Sequence, residues 1–241
     1  MVAFFRGFDG EFDFKDIAKY VLFYTVVECR LFTPCRIYEN TPYTSMRLLP
    51  ALMGVGVVPL SYLTLRGLDC GPTSALLGST FILFENGLIT QSRHILLDSP
   101  LIFFTALTTF CWVAFSNENQ DRARAFTEKW WLWLILTGLS LGAVASCKWV
   151  GLFTIATVGL DTIRQLWNLL GDLRVPPRLF VKHLLARALC LILLPIFFYM
   201  SMFAIHFQIL QSSGDGDGFM SSAFQHTLSG RGMEPTYAGE F

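Results

Sequence analysis

Six long apolar runs alternate with short polar segments along the 241-residue chain. Because about 20 apolar residues cross the hydrocarbon core of a bilayer as a helix, each run predicts one transmembrane span. The fourth and fifth runs are separated only by SCKWVG, which predicts either a tight turn at the membrane surface or one long broken helix. The fold class is therefore all-α, a polytopic helical membrane protein, with predicted spans 46–66, 72–90, 97–115, 130–147, 150–170 and 184–207.

Composition supports a membrane protein and narrows its partners. The chain is 53% hydrophobic and 15% charged, against roughly 25% charged residues in soluble domains. With 18 basic and 18 acidic residues the net charge is zero, so nothing indicates nucleic acid as a partner. The six cysteines show no metal-ligand spacing, and we predict neither a disulfide framework nor a metal site. The N-terminal MVAFFRGFDGEFDF is not a signal peptide, and we expect the natural protein to begin further upstream.

The distribution of Lys and Arg in the short loops predicts the orientation of the spans. Loop 117–129 carries Arg122, Arg124 and Lys129, and loop 171–187 carries Arg174, Arg178, Lys182 and Arg187. Both loops are therefore predicted to be cytoplasmic. The opposite face, lumenal in the endoplasmic reticulum of a eukaryotic cell, then receives the segment before Met46, SRHILLDSP (92–100), SCKWVG (146–151) and the tail after Phe207.

Three cations gather on the predicted lumenal face: Arg47, Arg93 and Lys148. A charge near hydrocarbon costs several kcal/mol unless it snorkels, pairs or lines a wet cavity. A single Arg or Lys at a helix end is explained by snorkelling to the headgroups, but three on one face favour a binding site. Phosphate suits such a cluster, because Arg offers a bidentate fork and Lys a point charge. A lipid phosphate is the one most readily found at that depth.

Other polar side chains near this face have supporting roles. Asp98 precedes Ser99-Pro100 at the start of a helical run, which favours capping the helix or pairing with Arg93 over acting as a general base. Glu85 lies within FILFENGLIT, where a carboxylate should face the interior of the bundle and make a structural hydrogen bond. His94 is interpreted as an interfacial histidine.

Five segments, in order and spacing, resemble the protein O-mannosyltransferases: GFDGEFDFKDI (7–17), PYTSMRLLPALMG (42–54), ILFENGLITQSRHILLDSPLIFF (82–104), SCKWVGLFT (146–154) and HFQILQSSGDGDGFMSSAFQHTL (206–228). The resemblance implies a multi-pass enzyme of the endoplasmic reticulum membrane with a glycosyltransferase C-type transmembrane bundle. Such enzymes transfer mannose from dolichyl phosphate mannose to Ser or Thr of secretory proteins, with inversion at the anomeric carbon. The donor is a substrate, and no cofactor is expected.

The resemblance also implies residue roles and partners. It places Arg47 and Lys148 where the family holds the dolichyl phosphate, and the block that contains Arg93, His94 and Asp98 on the same lumenal wall. The implied partners are the lipid-linked sugar donor, secretory acceptor proteins, membrane lipids and a second family member in a homo- or heterodimer.

The same resemblance sets the expected domain organisation. Residues 1–45 would be a lumenal loop, atypical for the family over 18–41, and 46–207 a transmembrane helical domain. Residues 208–241 would begin a lumenal loop that in the family leads to a MIR domain. The family's catalytic Asp-Glu pair lies upstream of the segment matching GFDGEFDF, so the catalytic residues of this chain are unknown. We expect a truncated or mis-spliced product, with 18–41 partly read from non-coding sequence and without transfer activity alone.

Two other functions remain open from the sequence. A broken helix near SCKWVG and charges close to the membrane also suit a transporter, although no internally repeated halves are visible. A non-catalytic subunit that pairs with a full-length family member is the second alternative.

Overall fold

The computed structural model describes residues 43–121, 124–172, 174–209 and 221–226, and over these ranges its regular elements are all helices. The all-α prediction is confirmed. Segment 7–17, the atypical stretch 18–41 and most of 208–241 lie outside the described residues. The α-helices are α1 Tyr43–Gly67, α2 Pro72–Leu83, α3 Asn86–Ser92, α4 Asp98–Gln120, α5 Glu128–Cys147, α6 Leu152–Gly171, α7 Pro177–Ala188, α8 Leu194–Ile209 and α9 Ser222–Gln225.

Within the described residues, four helices are long and apolar enough to cross a membrane: Met46–Gly67, Asp98–Gln120, Glu128–Cys147 and Pro177–Ile209. The last is a continuous helix of 33 residues, in which α7 passes into α8 through a π-helical turn at Leu189–Leu193. At 1.5 Å per residue it is about 50 Å long, which exceeds the ~30 Å hydrocarbon core. The helix is therefore long enough for its basic first part, α7, to extend beyond the apolar layer.

The structure corrects the second predicted span. Segment 72–90 is not one helix, because α2 ends at Leu83 and α3 begins at Asn86. Glu85 lies at the break and is exposed, so it does not face the interior of a bundle as the sequence predicted. The hydropathy of the segment concealed this break, because one carboxylate among apolar neighbours barely changes an average over 20 residues.

The two predicted cytoplasmic loops are shorter in the structure than the ranges 117–129 and 171–187 assigned to them from the sequence. α4 continues to Gln120 and α5 starts at Glu128, and most of 171–187 forms α7. α6 is 20 residues long but is not among the four apolar helices. It carries Asp161, Arg164 and Gln165 near its middle, and these polar residues lower its hydropathy.

The chain forms two compact units, Met1–Val113 and Ala114–Phe241. In the first unit, α1 contacts both α2 and α3. A Cβ at Gly54 would collide with the Ser92 hydroxyl, so α3 meets α1 at a position that only glycine allows. Ser99, which is buried, donates from its hydroxyl to the Pro50 carbonyl at 2.8 Å. This hydrogen bond joins the start of α4 to the first turns of α1.

In the second unit, the tightest helix pair is α5 with α8. Gly138 and Gly142 of α5 face Cys190 and Phe198, and a Cβ on either glycine would overlap them. Small residues of this kind allow two helix backbones to approach closely in a membrane, where dispersion contacts drive association.

Aromatic packing closes the end of the second unit where α5 begins. The Trp130 ring is fully buried between Phe115, at 5.2 Å between centroids, and Phe126, at 4.8 Å. Phe126 has a φ of 64°, a left-handed conformation that costs of order 1–3 kcal/mol outside glycine. Burial of its ring against Trp130 and His183 offsets that cost.

The segment SCKWVG forms a tight turn. Lys148 is extended, with φ −163° and ψ 146°, and a 3₁₀ turn at Trp149–Gly151 leads into α6. Near the opposite ends of the two helices, Trp130 of α5 donates to Asn119 and Asn119 donates to Gln165 of α6. Since the start of α5 lies beside the far half of α6, the two helices are antiparallel neighbours. Of the two predictions for this segment, the turn is confirmed.

Candidate functional site

Arg47 lies in the first turns of α1 and is exposed. The hydrogen bond from Ser99 to the Pro50 carbonyl holds the start of α4 within one turn of Arg47 along α1. Asp98, the residue before Ser99, is the first residue of α4, where a carboxylate interacts favourably with the positive end of the helix dipole. The first unit therefore brings Arg47 close to the 92–100 block that the sequence identified.

Glu85 stabilises the start of the helix that ends at Arg93. Its carboxylate accepts from the backbone N–H of Gly87 at 3.0 Å and of Leu88 at 2.5 Å, which caps the N-terminus of α3. The predicted structural hydrogen bond is thus confirmed, at a helix start instead of a bundle interior. α3 then ends at its C-cap residue Arg93, and both Arg93 and His94 are exposed.

The sequence offered pairing with Arg93 as one role for Asp98. Among the described residues, no salt bridge joins these two side chains. The position of Asp98 in the first turn of α4 supports the other predicted role, stabilisation of the helix start.

Lys148 belongs to the second unit, where it is the exposed C-cap residue of α5. A cation at the C-terminal end of a helix is stabilised by the helix dipole. The extended backbone at Lys148 ends the helix and separates this charge from the apolar surface of α5.

An apolar groove of about 260 Å³ lies in the same unit and is lined by Trp149, the residue after Lys148. Its wall includes Trp149, whose side chain is 76% exposed, and Tyr199 of α8. The remaining lining residues are Ala145, Leu152, Ile155, Pro195 and Ile196. A cation next to an apolar groove is the arrangement that a lipid phosphate with a hydrocarbon chain requires.

The predicted cationic cluster is divided between the two units. Arg47 and Arg93 lie in the first and Lys148 in the second. The described residues contain no group of three or more His, Cys, Asp or Glu side chains placed to hold a metal ion.

Sequence reasoning missed a partly buried polar network in the second unit. It links Ser116 and Asn119 of α4, Gln165 of α6 and Arg187 of α7 through side-chain hydrogen bonds. Arg187 had been counted as a loop charge, although it is 2% exposed. The available signal was the run Asp161, Arg164, Gln165 at helical spacing inside an otherwise apolar helix.

Residues 34–211 match the family model described as dolichyl-phosphate-mannose-protein mannosyltransferase. The chain belongs to this family. The resemblance found in the sequence motifs is thereby confirmed over most of the transmembrane region.

Curated relatives in the family agree with this assignment. The chain is 44% identical to dolichyl-phosphate-mannose--protein mannosyltransferase 1 of Candida albicans over 93% of its own length and 23% of that protein. It is 39% identical to protein O-mannosyl-transferase 2 of Danio rerio over 100% of its length and 29% of that protein. The chain thus spans about a quarter of the length of the relatives it matches.

A solved structure supports the fold. The chain resembles the S. cerevisiae protein O-mannosyltransferase Pmt1-Pmt2 complex bound to the sugar donor, with a TM-score of 0.80 and 34% sequence identity. The match covers 97% of this chain and 29% of the matched chain. The polytopic mannosyltransferase fold implied by the motifs is therefore confirmed for this part of the family architecture.

Proposed function

We propose that this chain forms the donor-binding part of a protein O-mannosyltransferase of the endoplasmic reticulum membrane. In this proposal Arg47, Arg93 and Lys148 bind the phosphate of dolichyl phosphate mannose, and the acceptors are Ser or Thr residues of secretory proteins. The observation that carries the proposal is the likeness, at 34% identity and a TM-score of 0.80, to a complex bound to its sugar donor. The exposure of all three cations at helix ends supports their role.

The chemistry requires cations at the leaving group. The acceptor hydroxyl oxygen attacks the anomeric carbon of mannose, the bond from that carbon to the phosphate oxygen breaks, and its electron pair stays on the phosphate. A base takes the hydroxyl proton, and no residue of this chain is assigned to that role. Negative charge grows on the departing dolichyl phosphate, so preorganised Arg and Lys side chains stabilise the transition state more than the ground state.

The surroundings of Lys148 support recognition of a polyisoprenoid phosphate over a soluble one. The groove lined by Trp149 and Tyr199 is almost wholly apolar, and Trp149 directly follows Lys148 in the chain. In the proposal the groove holds the first isoprene units while Lys148 contacts the phosphate. Glu85 and Asp98 act as positioning residues on either side of Arg93 and His94, because Glu85 caps the start of α3 and Asp98 lies in the first turn of α4.

The experiment compares two lysines on one helix. Lys148 and Lys129 are both exposed and lie at opposite ends of α5. Membranes that contain each Lys→Met variant are titrated with a short-chain analogue of dolichyl phosphate mannose. Lys148→Met should lose about 1.5–3 kcal/mol of binding, the range for a hydrogen bond to a charged group, whereas Lys129→Met should bind like the parent chain. Equal affinities for the two variants would contradict the donor site.

A second function is supported by the Pmt1-Pmt2 composition of the matched complex. The chain could serve as a non-catalytic partner that associates with another family member. Co-expression with a full-length family member separates the two functions. Stimulation of the partner's transfer activity that survives both Arg47→Ala and Lys148→Met indicates a subunit role, and loss of it in these variants indicates that the chain's own donor site is used.

A further inference from the structure

A cavity of about 350 Å³ with a mixed polar and apolar lining lies within the second unit, at the end predicted to be cytoplasmic. It is separate from the donor residues, because none of Arg47, Arg93 or Lys148 lines it. Its polar lining residues are Asn119, Gln120, Gln165, Asn168, His183 and Arg187, together with Asp172. A cavity of this size could hold about ten waters at roughly 30 Å³ each, or an oxyanion with a few waters.

Arg187 is held rigidly at this cavity. Its guanidinium lies over the Phe115 ring at 5.5 Å from the centroid. One nitrogen, Nη2, donates to Gln165 Oε1 at 3.1 Å. Gln165 is fixed in turn, since its Nε2 donates to Ser116 Oγ at 3.1 Å and to Asp161 Oδ2 at 2.9 Å. The network therefore orients Arg187 before any ligand arrives.

The other donors of Arg187 have no protein acceptor. Among the described residues, nothing accepts a hydrogen bond from Nε or Nη1, although the side chain is only 2% exposed. His183, one helical turn earlier and 4% exposed, has an unpartnered Nδ1. A buried donor without an acceptor is costly, more so when it is charged, and such groups in native proteins are usually met by water or an ion.

The charges around the cavity favour an anion. Asp161 forms a salt bridge with Arg164 at 2.8 Å, and an oxygen of Asp172 accepts from the Arg174 backbone N–H at 3.0 Å. Asp161 is thus paired with a cation, whereas this contact of Asp172, which lines the cavity, is to a neutral backbone group. Three exposed cations lie on the loop and helix that border the cavity: Arg174, Arg178 and Lys182.

We propose that this cavity binds a phosphate group, with Arg187 Nε and Nη1 as donors and the side chains of Asn168 and His183 completing the contacts. Arg is suited to a phosphate because its planar fork meets tetrahedral oxygens at two positions. Two sources share this chemistry: the headgroup of a phosphomonoester lipid in the facing leaflet, and free inorganic phosphate. The site goes beyond mannosyl transfer and does not depend on it.

The test uses inorganic phosphate as the probe. The purified chain in a neutral detergent is titrated calorimetrically with phosphate at constant ionic strength, with chloride as the reference anion. Arg187→Met should weaken binding at least tenfold, as expected for the loss of hydrogen bonds from a charged donor. Asn168 is exposed on the cavity wall, so Asn168→Asp adds a repelling charge outside the network and should weaken binding even if Arg187→Met fails to fold.

The matched control is Asn86→Asp, the same change at an exposed residue of the first unit, which should bind phosphate like the parent chain. The source is distinguished by repeating the titration in phosphatidylcholine discs with or without phosphatidic acid. Suppression of phosphate binding by phosphatidic acid assigns the site to a lipid headgroup, and undiminished binding assigns it to free phosphate. No saturable binding, or equal binding in the parent chain and in Asn168→Asp, would overturn the proposal and leave a cavity that holds only water.

Discussion

The contact between α5 and α8 should fail if Gly142 acquires a side chain. A Cβ at this position would lie 2.8 Å from Phe198 Cβ and 2.9 Å from Phe198 Cδ1. Carbon atoms prefer about 3.5–4.0 Å, so the two helices would have to separate by about 1 Å. Rotation of the Phe198 ring cannot relieve the overlap, because the closest atom is its Cβ, which is fixed to the backbone of α8.

The loss of stability on Gly142→Ala can be sized by comparison with a glycine whose Cβ position is unobstructed. Gly159 of α6 has no heavy atom within 4 Å of the position a Cβ would take. Replacing a helical glycine by alanine stabilises by roughly 0.5–1 kcal/mol when nothing obstructs it, and this contribution is common to both positions. The difference between Gly142→Ala and Gly159→Ala therefore isolates the packing cost, which for overfilled contacts is about 1–3 kcal/mol.

The measurement is the free energy of unfolding of each variant in mixed detergent micelles. We expect Gly159→Ala to be at least as stable as the parent chain and Gly142→Ala to be less stable than Gly159→Ala by the packing cost. Gly138→Ala should be more severe still, because its Cβ would meet the backbone carbonyl of Cys190. If Gly142→Ala proves as stable as Gly159→Ala, the close approach of α5 and α8 is incorrect.

Three further predictions test the candidate site and the topology. Arg47→Ala should weaken donor binding by about 1.5–3 kcal/mol. Arg47→Lys should recover only part of the lost affinity, because lysine lacks the bidentate guanidinium. Unchanged binding in both variants would indicate that Arg47 only extends to the lipid headgroups. Glu85→Ala should destabilise the start of α3 by about 1 kcal/mol and speed hydrogen exchange at the Gly87 and Leu88 amides, with unaltered exchange counting against the cap. Arg124→Cys, with the native cysteines replaced, should react with an impermeant reagent only from the cytoplasmic side, and labelling from the lumen would reverse the predicted orientation.

The apolar runs predicted the helices well because a helix in a bilayer satisfies its own backbone hydrogen bonds. Local composition is then enough to locate α1, α4, α5 and α6 within about five residues, whereas the last predicted span, 184–207, lies inside the longer helix Pro177–Ile209. The break at Glu85 was missed, since it depends on one carboxylate that accepts two backbone N–H groups. Such a cap is a local geometric event, and an average over 20 residues does not register it.

The sequence identified the cations of the candidate site but not the polar network of the second unit. Arg47, Arg93 and Lys148 stood out because charges are rare beside apolar runs, and the family motifs gave them a role. The network around Gln165 could not be found in the same way, because its members come from three helices separated by tens of residues. Nothing in the spacing of Ser116, Gln165 and Arg187 indicates that they share hydrogen bonds.

The burial of Arg187 also bears on the orientation argument. From the sequence, Arg187 was counted among the four cations of a cytoplasmic loop. In the structure it lies in a helix, is 2% exposed and contacts Gln165 and Phe115. A buried guanidinium of this kind contributes little to the charge bias of the loop. Three exposed cations remain between α6 and the end of α7: Arg174, Arg178 and Lys182. The predicted lumenal segments 92–100 and 146–151 carry one each, Arg93 and Lys148. Because the positive-inside bias depends on accessible Lys and Arg near the helix ends, the predicted orientation rests on these three together with the cations of loop 117–129, and Arg187 is left to the cavity that it lines.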